Sequence, residues 1–287
     1  MKKLLASIAT AAAILSAPGC SSVYQAVETQ QQISRENALE DILQSVVCVR
    51  NTATYVNQQS HKTTQRAVFG TGFVYKREDG WSYLTTSEHV AKQAEKEEVL
   101  NFFDMSHPDI WTKVSEEITI VDNKYDKNAS DDISLGVVRA DDELDTIVLR
   151  TKTPLHVSHA YHIGTIQKHP GDPVYVVGFP LGFDRGTTNG TIFNPSVKLE
   201  GREYTMMDVT TQPGHSGSPV FVRGTNNEFY LIGQMRICMP YAGGIGGGFG
   251  LATEISELQS VWRIGREEPL PIPDLFWSTP TEEKKKT

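Results

Sequence analysis

Short apolar runs separated by turn-forming residues fill the chain between residues 46 and 252. Runs bounded in this way by Gly, Pro, Asn and Asp are typical of the strands of a sandwich or a barrel. A helical period of useful length is missing from about 95 to 255. The predicted strands are 46–49, 68–75, 83–86, 118–121, 136–139, 146–150, 174–178, 208–210, 220–222, 229–237 and 249–252.

The segments outside these strands predict one helix, one insertion and two tails. Ser34 can cap a short helix. The apolar stripe of that helix consists of Ala38, Leu39, Ile42 and Leu43. Residues 101–132 are rich in charges and turn formers, which indicates a long, partly ordered insertion. The polar segment 20–35 predicts a flexible tether, and the proline-rich residues 263–287 predict a tail rather than a further domain.

Residues 1–19 have the composition of a secretory signal. Lys2 and Lys3 precede an alanine-rich apolar segment that is too short to span a bilayer comfortably. The ending Ala17-Pro18-Gly19-Cys20 resembles that of a bacterial lipoprotein signal, which implies cleavage before Cys20 and lipid attachment to this cysteine. We therefore expect an exported protein anchored to a membrane of the bacterial cell envelope, facing the periplasm or the exterior. Plain secretion without a lipid is the alternative.

Composition narrows the possible partners and cofactors. The formal net charge of −8 gives no sign of a nucleic-acid partner. If Cys20 carries lipid, Cys48 and Cys238 remain, and the sequence leaves open whether they pair in an oxidising compartment or stay as buried thiols. Neither a Cys-x-x-Cys nor a His-Glu-x-x-His spacing occurs, so we expect no metal and no other cofactor.

The segment Gly214-His215-Ser216-Gly217-Ser218-Pro219 is the strongest candidate for chemistry. Glycines around a serine allow the tight turn and the close backbone approach that a nucleophile requires. The backbone N–H groups of Gly214 and Ser216 could converge on a developing oxyanion. Such a string also occurs by chance in glycine-rich loops, so its meaning depends on a base and a carboxylate elsewhere.

A histidine and an aspartate upstream complete the set that acyl transfer by serine requires. His89 stands just past the predicted strand 83–86, and Asp145 stands directly before the strand 146–150. Asp132 is the competing carboxylate, but the segment after Asp145 is the stronger strand. The order His, Asp, Ser belongs to the chymotrypsin scaffold and not to subtilisins or α/β-hydrolases.

Together these segments resemble the trypsin-like serine peptidases, in particular the bacterial HtrA/Deg and glutamyl-endopeptidase branch. The resemblance covers about residues 36–262. The segments that carry it are Gly70-Thr71-Gly72-Phe73, the block 86–90, the acidic turn into Asp145, 177–183 with 189–192, and 211–219. It implies an all-β fold of two antiparallel six-stranded β-barrels, at about 45–155 and 165–262, with the active site in the cleft between them.

The resemblance also implies a function. A serine endopeptidase would use Ser216 as nucleophile, His89 as general base and acid, and Asp145 to orient His89. It would form an acyl-enzyme intermediate on a polypeptide substrate and need no cofactor. The alternatives are a catalytically silent module that binds a protein partner and an esterase on the same scaffold.

The sequence departs from the family pattern at three points. His215 stands where Asp or Asn is usual, which places a second titratable group beside the serine. Ser218 replaces the usual glycine, as it does in the glutamyl-endopeptidase branch. HtrA proteins carry a carboxy-terminal PDZ domain, and the chain is expected to stop before one, so activation through such a domain is not carried over.

The specificity pocket is expected to be uncharged. Its walls are predicted to come from Thr210, Thr211, Met235, Arg236 and Ile237. The position six residues before Ser216, where trypsin-type enzymes keep an acid, is occupied by Thr210, which favours apolar or small residues before the cut. Arg236 would favour an acidic residue if it turned inward, and its pointing to solvent is equally open. The glycine-rich run 243–250 predicts a mobile loop beside the pocket.

Overall fold

The computed structural model describes residues 36–101, 104–122, 132–164, 166–225, 227–240 and 248–262. The chain divides into residues 1–40 and a compact unit of residues 41–287, which contains every described strand. Residues 36–44 form a helix (α1), so the predicted helix is confirmed over that range. The predicted signal, Cys20, the tether and the tail all lie outside the described residues. Across the described ranges, no helix has the length and apolar character needed to cross a membrane.

The first barrel is built from eight strand segments. They are β1 (Val46–Asn57), β2 (Thr63–Glu78), β3 (Trp81–Thr86), β4 (Lys96–Asn101), β5 (Asp104–Val121), β6 (Ile133–Ser134), β7 (Gly136–Asp141) and β8 (Thr146–Thr151). They pair in the order β4-β5-β1-β2-β3-β8-β7, and β6 pairs with β5. Because β6 and β7 are separated only by Leu135, they act as one interrupted strand that joins β5 to β8 and closes a six-stranded barrel. β4 extends β5 as a hairpin.

The second barrel is built from seven strands. They are β9 (Tyr161–Ile163), β10 (Pro173–Gly178), β11 (Gly186–Leu199), β12 (Arg202–Val209), β13 (Pro219–Arg223), β14 (Phe229–Pro240) and β15 (Gly248–Glu254). The path β13-β10-β11-β12-β15-β14 closes through the pairing of β13 with β14, and β9 adds to β14 in parallel. The predicted all-β fold with two six-stranded barrels is therefore confirmed.

Each barrel has its own apolar core, and aromatic rings pack between the two. Val49, Leu84 and Leu149 belong to the first core, while Val176 and Met207 belong to the second. The rings between the barrels are Phe73, Tyr161, Phe221 and Trp262, with centroid separations of 5.5–6.3 Å. Full burial of Phe73 and Phe221 contributes about 1.5–3 kcal/mol each, which favours a fixed arrangement of the barrels.

The prediction of a partly ordered insertion at 101–132 is wrong for residues 104–117, whereas the strand predicted at 118–121 is confirmed. Both segments lie in β5, which pairs with β1 over Trp111–Val121 and with β4 over Asp104–Thr112. Its charged residues predicted an insertion rather than a strand. A hairpin that extends from a barrel leaves many side chains in water, so charged residues are compatible with its strands. β11 was missed for the same reason, since only Ile192 of its fourteen residues is buried.

Cys48 is a free thiol in β1 with no exposed surface. Burial raises its pKa to about 12, so it stays protonated and unreactive at neutral pH. The backbone of Cys238 lies in β14, and its side chain is outside the described residues. Of the two alternatives for Cys48, the structure supports the buried thiol.

Candidate active site

The structure brings His89 and Asp145 together at two points. Asp145 Oδ2 lies 2.7 Å from His89 Nδ1, and Asp145 Oδ1 accepts a hydrogen bond of 3.0 Å from the His89 backbone N–H. The Asp145 side chain is 14% exposed and that of His89 is 50% exposed. The competing carboxylate, Asp132, instead forms an ion pair with Arg50.

Local structure places both residues at strand ends. His89 lies on α2 (Glu88–Ala91), a single helical turn that follows β3, and the burial of Val90 and Ala91 turns the histidine outward. Asp145 closes the turn between β7 and β8 with φ of 50°. Aspartate tolerates this left-handed conformation better than most residues. The exposed side of His89 borders an open cavity of about 320 Å³.

Ser216 lies on a turn of the second barrel that packs directly against the first. A Cβ added to Gly217 would lie 2.2 Å from Thr71 O and 2.9 Å from Ser87 N, next to α2. The turn therefore needs glycine here, where φ is 87°. No hydrogen bond joins Ser216 Oγ to His89 in the described structure. Such bonds are often long in proteins without substrate and tighten on binding.

Hydrogen bonds account for every backbone carbonyl of the nucleophile turn, residues 213–216. The carbonyls and their donors are Pro213 with Leu181 N–H (2.6 Å), Gly214 with Thr71 Oγ1 (2.7 Å), His215 with Ser218 N–H (2.9 Å) and Ser216 with Thr71 N–H (2.9 Å). The His215 amide donates to Gln212 O. The amides of Gly214 and Ser216 have no hydrogen-bond acceptor among the described residues.

The amino-acid sequence independently matches the family model for a trypsin-like peptidase domain over residues 70–230, more than half of the chain. The chain belongs to the trypsin-like peptidase domain family. Residues 70–230 are therefore a trypsin-like peptidase domain, the family that the sequence motifs resembled. No curated protein matches the sequence significantly.

Solved structures of HtrA-type proteases share this fold. The HtrA-type protease AlgW with a decapeptide has a TM-score of 0.55 and 18% identity, covering 80% of this chain and 66% of its own. An AlgW variant with a tripeptide has a TM-score of 0.51 and 18% identity, covering 80% of this chain and 62% of its own. This chain thus spans somewhat less than two thirds of the AlgW chain in the tripeptide structure.

Thr71 is a site residue that sequence reasoning did not single out. It lies in β2 of the first barrel with no exposed surface, yet it binds two carbonyls of the nucleophile turn. The sequence does contain a signal for this role, because Thr71 stands between Gly70 and Gly72. Glycines on both sides allow another segment of the chain to approach closely. A Cβ on Gly70 would lie 3.1 Å from Ser216 O.

A second polar group beneath the site joins the barrels. Gln234 of β14 accepts hydrogen bonds at Oε1 from Thr85 (2.9 Å) and Thr146 (3.5 Å), and all three residues are buried. Thr146 directly follows Asp145 along the chain. The sequence signal is a glutamine in the middle of the apolar run 229–237.

His215 does not share the exposure of His89. It is 1% exposed, with Nε2 3.2 Å from Thr188 Oγ1 and Nδ1 3.1 Å from the Gln212 backbone N–H. Burial lowers the pKa of His215, so the ring is neutral at physiological pH. The second titratable group expected beside Ser216 is therefore held inside the second barrel.

The predicted pocket residues have different surroundings. Met235 has no exposed surface and belongs to the core of the second barrel, while Thr211 is 6% exposed. Both approach Gly250, where an added Cβ would lie 2.8 Å from Met235 Cε and 3.2 Å from Thr211 Cγ2. The Thr211 hydroxyl has no hydrogen-bond partner among the described residues. Thr210, which directly precedes Thr211, is exposed.

Arg236 does not point freely to solvent, because its side chain binds Tyr204. It hydrogen bonds to the Tyr204 hydroxyl, and its guanidinium lies 5.4 Å from the centre of the Tyr204 ring. The positive charge of the Arg236 guanidinium is therefore stabilised by the Tyr204 ring and its hydroxyl. The Ile237 backbone pairs with Leu251, and its side chain lies outside the described residues, as does most of the predicted glycine-rich loop.

Proposed function

We propose that this protein is a serine endopeptidase whose catalytic triad is Ser216, His89 and Asp145. The observation that carries the proposal is the two-point contact of Asp145 with His89, beside a tight turn that presents Ser216. A carboxylate that binds both the ring and the backbone of a half-exposed histidine fixes the tautomer in which Nδ1 carries the proton. Nε2 is then free to accept one.

In the proposed reaction, His89 Nε2 removes the Ser216 hydroxyl proton as the oxygen attacks the substrate carbonyl. His89 then gives this proton to the leaving amine, and an acyl-enzyme forms on Ser216. Water, activated by the same histidine, releases the acyl group. Asp145 stays ionised and stabilises the imidazolium that forms in each step.

The tetrahedral intermediate places a negative charge on the former carbonyl oxygen. The amides of Gly214 and Ser216 are the proposed donors, because they are the only N–H groups of the nucleophile turn without an acceptor in the described structure. The Pro213 carbonyl binds Leu181 N–H, so the trans peptide directs the Gly214 N–H to the opposite side. Removing one such donor typically costs about 10²–10³ in kcat.

The proposed substrate is an extended polypeptide. β14 pairs with β13 only as far as Gln234, and beyond Met235 its pairing in the described structure is with β15 alone. The edge that continues from Met235 therefore offers backbone groups to which a peptide can add as a strand. The AlgW structures, which hold peptides, are consistent with this class of substrate.

Export and lipid anchoring through Cys20 are part of the proposal and rest on the amino-terminal sequence alone. Bacteria that express the full-length protein are grown with a labelled fatty acid. The protein recovered from their membrane fraction should carry the label. Cys20→Ala should lose the label. Equal labelling of both proteins would overturn lipid attachment at this residue.

The activity is tested with a matched pair of serine variants. Ser216→Ala should abolish cleavage of an unfolded protein such as reduced casein, with a loss of about 10⁶ in kcat. Ser218→Ala is the control, because the Ser218 hydroxyl is buried two residues away without a hydrogen-bond partner in the described structure. Cleavage by Ser216→Ala at the rate of the parent would refute the proposed nucleophile.

A further inference from the structure

Thr71 joins three segments of the site through one side chain. Its hydroxyl donates to Gly214 O at 2.7 Å and accepts from Phe179 N–H at 3.0 Å. Its backbone N–H donates to Ser216 O at 2.9 Å, and its backbone carbonyl accepts from Thr86 Oγ1 at 2.7 Å. The hydroxyl and the backbone N–H of Thr71 therefore hold β2, the nucleophile turn and Phe179 together, and its carbonyl joins β2 to the end of β3.

These contacts hold the peptide groups on which the orientation of the Gly214 amide depends. Each of the two amides without an acceptor in the described structure belongs to a residue, Gly214 or Ser216, whose carbonyl oxygen is bound by Thr71. On the other side, Leu181 N–H binds Pro213 O at 2.6 Å. The carbonyls on either side of the Gly214 amide are thus fixed by residues outside the turn. A rotation of either peptide group would break one of these bonds.

Glycine at position 214 makes such an external restraint necessary. Gly214 has φ of 101°, and glycine samples positive and negative φ almost equally. The turn itself therefore provides little preference for the conformation that points the Gly214 N–H away from Leu181. A hydroxyl that binds the Gly214 carbonyl supplies that preference from the first barrel.

We propose that Thr71 is a positioning residue for the oxyanion hole: its hydroxyl, through Gly214 O, holds the Gly214 amide in the orientation that binds the developing negative charge. This inference rests on the proposed function. It assigns to the first barrel a role in forming a donor that belongs to the second. Thr71 touches neither substrate nor the reacting atoms, so it acts on the rate only through Gly214.

The variants Thr71→Val and Thr71→Ser separate this role from packing. Valine keeps the shape but removes the hydroxyl, whereas serine keeps the hydroxyl and loses a methyl group. Thr71→Val should lower kcat by about 10- to 100-fold, part of the loss expected for one oxyanion donor, with KM nearly unchanged. Thr71→Ser should recover most of kcat. Ser82→Ala, which removes another buried hydroxyl bound to a backbone carbonyl, is the control for a general loss of stability.

The readouts are kcat and KM on one peptide substrate and the rate of Ser216 labelling by a fluorophosphonate. If Thr71→Val matches the parent in kcat, or if its loss lies in KM or is shared by Ser82→Ala, the positioning role is wrong. Should Thr71→Val fail to fold, Thr71→Cys replaces it, because a thiol is a weaker donor of similar size, and unchanged kcat again overturns the inference. A parent protein that neither cleaves nor labels would instead refute the proposed function itself.

Discussion

Asp145 holds His89 by the ring and by the backbone at once, at 2.7 Å from Nδ1 and 3.0 Å from the backbone nitrogen. The backbone N–H of Glu88 also donates to the Asp145 carbonyl at 3.2 Å. The turn before β8 and the helical turn after β3 are therefore fastened together by three bonds. This contact fixes where the imidazole lies before any substrate binds.

Replacing Asp145 tests whether this contact matters for catalysis. Asp145→Asn should lower kcat by about 10³–10⁴, because an amide carries no negative charge to stabilise the imidazolium, and its NH₂ group can donate to Nδ1 and favour the wrong tautomer. Steady-state cleavage of a peptide substrate measures the loss. Asp132→Asn, which removes only the partner of Arg50, should keep kcat close to that of the parent. Equal losses in the two variants would contradict the assignment of Asp145.

Gly214→Ala tests the backbone conformation of the nucleophile turn. The added Cβ would lie 2.2 Å from Phe179 O at a φ of 101°, so the turn must shift. We expect a loss of about 10² in kcat from the displaced donor and a destabilisation of about 1–3 kcal/mol. Gly186→Ala is the matched control, since its Cβ would meet nothing within 4 Å. Enzyme kinetics and denaturant unfolding of both variants give the comparison.

His215 predicts a pH dependence of stability. Burial lowers the pKa of His215 below its ordinary value of 6.5, so the unfolded chain binds a proton more readily than the folded chain. The stability contributed by the neutral ring is present above the ordinary pKa and is lost as pH falls below it. His215→Asn should lose less free energy of unfolding between pH 8 and pH 5 than the parent, as measured by urea denaturation. His61→Asn, at an exposed turn position, should follow the parent curve. Parallel curves for His215→Asn and the parent would contradict the role of burial.

The sequence predicted the fold well where apolar runs marked buried strands. The runs at 83–86 and 146–150 lie within β3 and β8, and each has a candidate site residue at its end. β11 and most of β5 escaped prediction because many of their described side chains, including residues 114–117 of β5, are exposed, so a polar sequence is compatible with a strand. These segments are strands because they pair with neighbouring strands. Their local sequence does not contain the information about this pairing.

The candidate site was predictable only in part. A serine in a glycine turn and a histidine after a strand are local patterns, so His89 and Ser216 could be selected one by one. The roles of Thr71 and Gln234 depend on contacts with residues 143 and 149 positions away. Such contacts depend on the packing of the two barrels against each other, which the local sequence does not show. The assignment of Met235 and Arg236 to the pocket stays a prediction; the contacts of Met235 with the core and of Arg236 with Tyr204 could not be read from local sequence.

Titration of the full chain with a fluorophosphonate, followed by peptide mapping, is the decisive test of Ser216 as nucleophile. We expect one adduct per molecule, located on Ser216, with labelling strongly slowed in His89→Ala. Substrate cleavage should disappear in proportion to the labelled fraction. A folded protein that takes up no label, or takes it up at another residue while Ser216 stays unmodified, would refute the proposed catalytic triad and favour a silent binding module on the same fold.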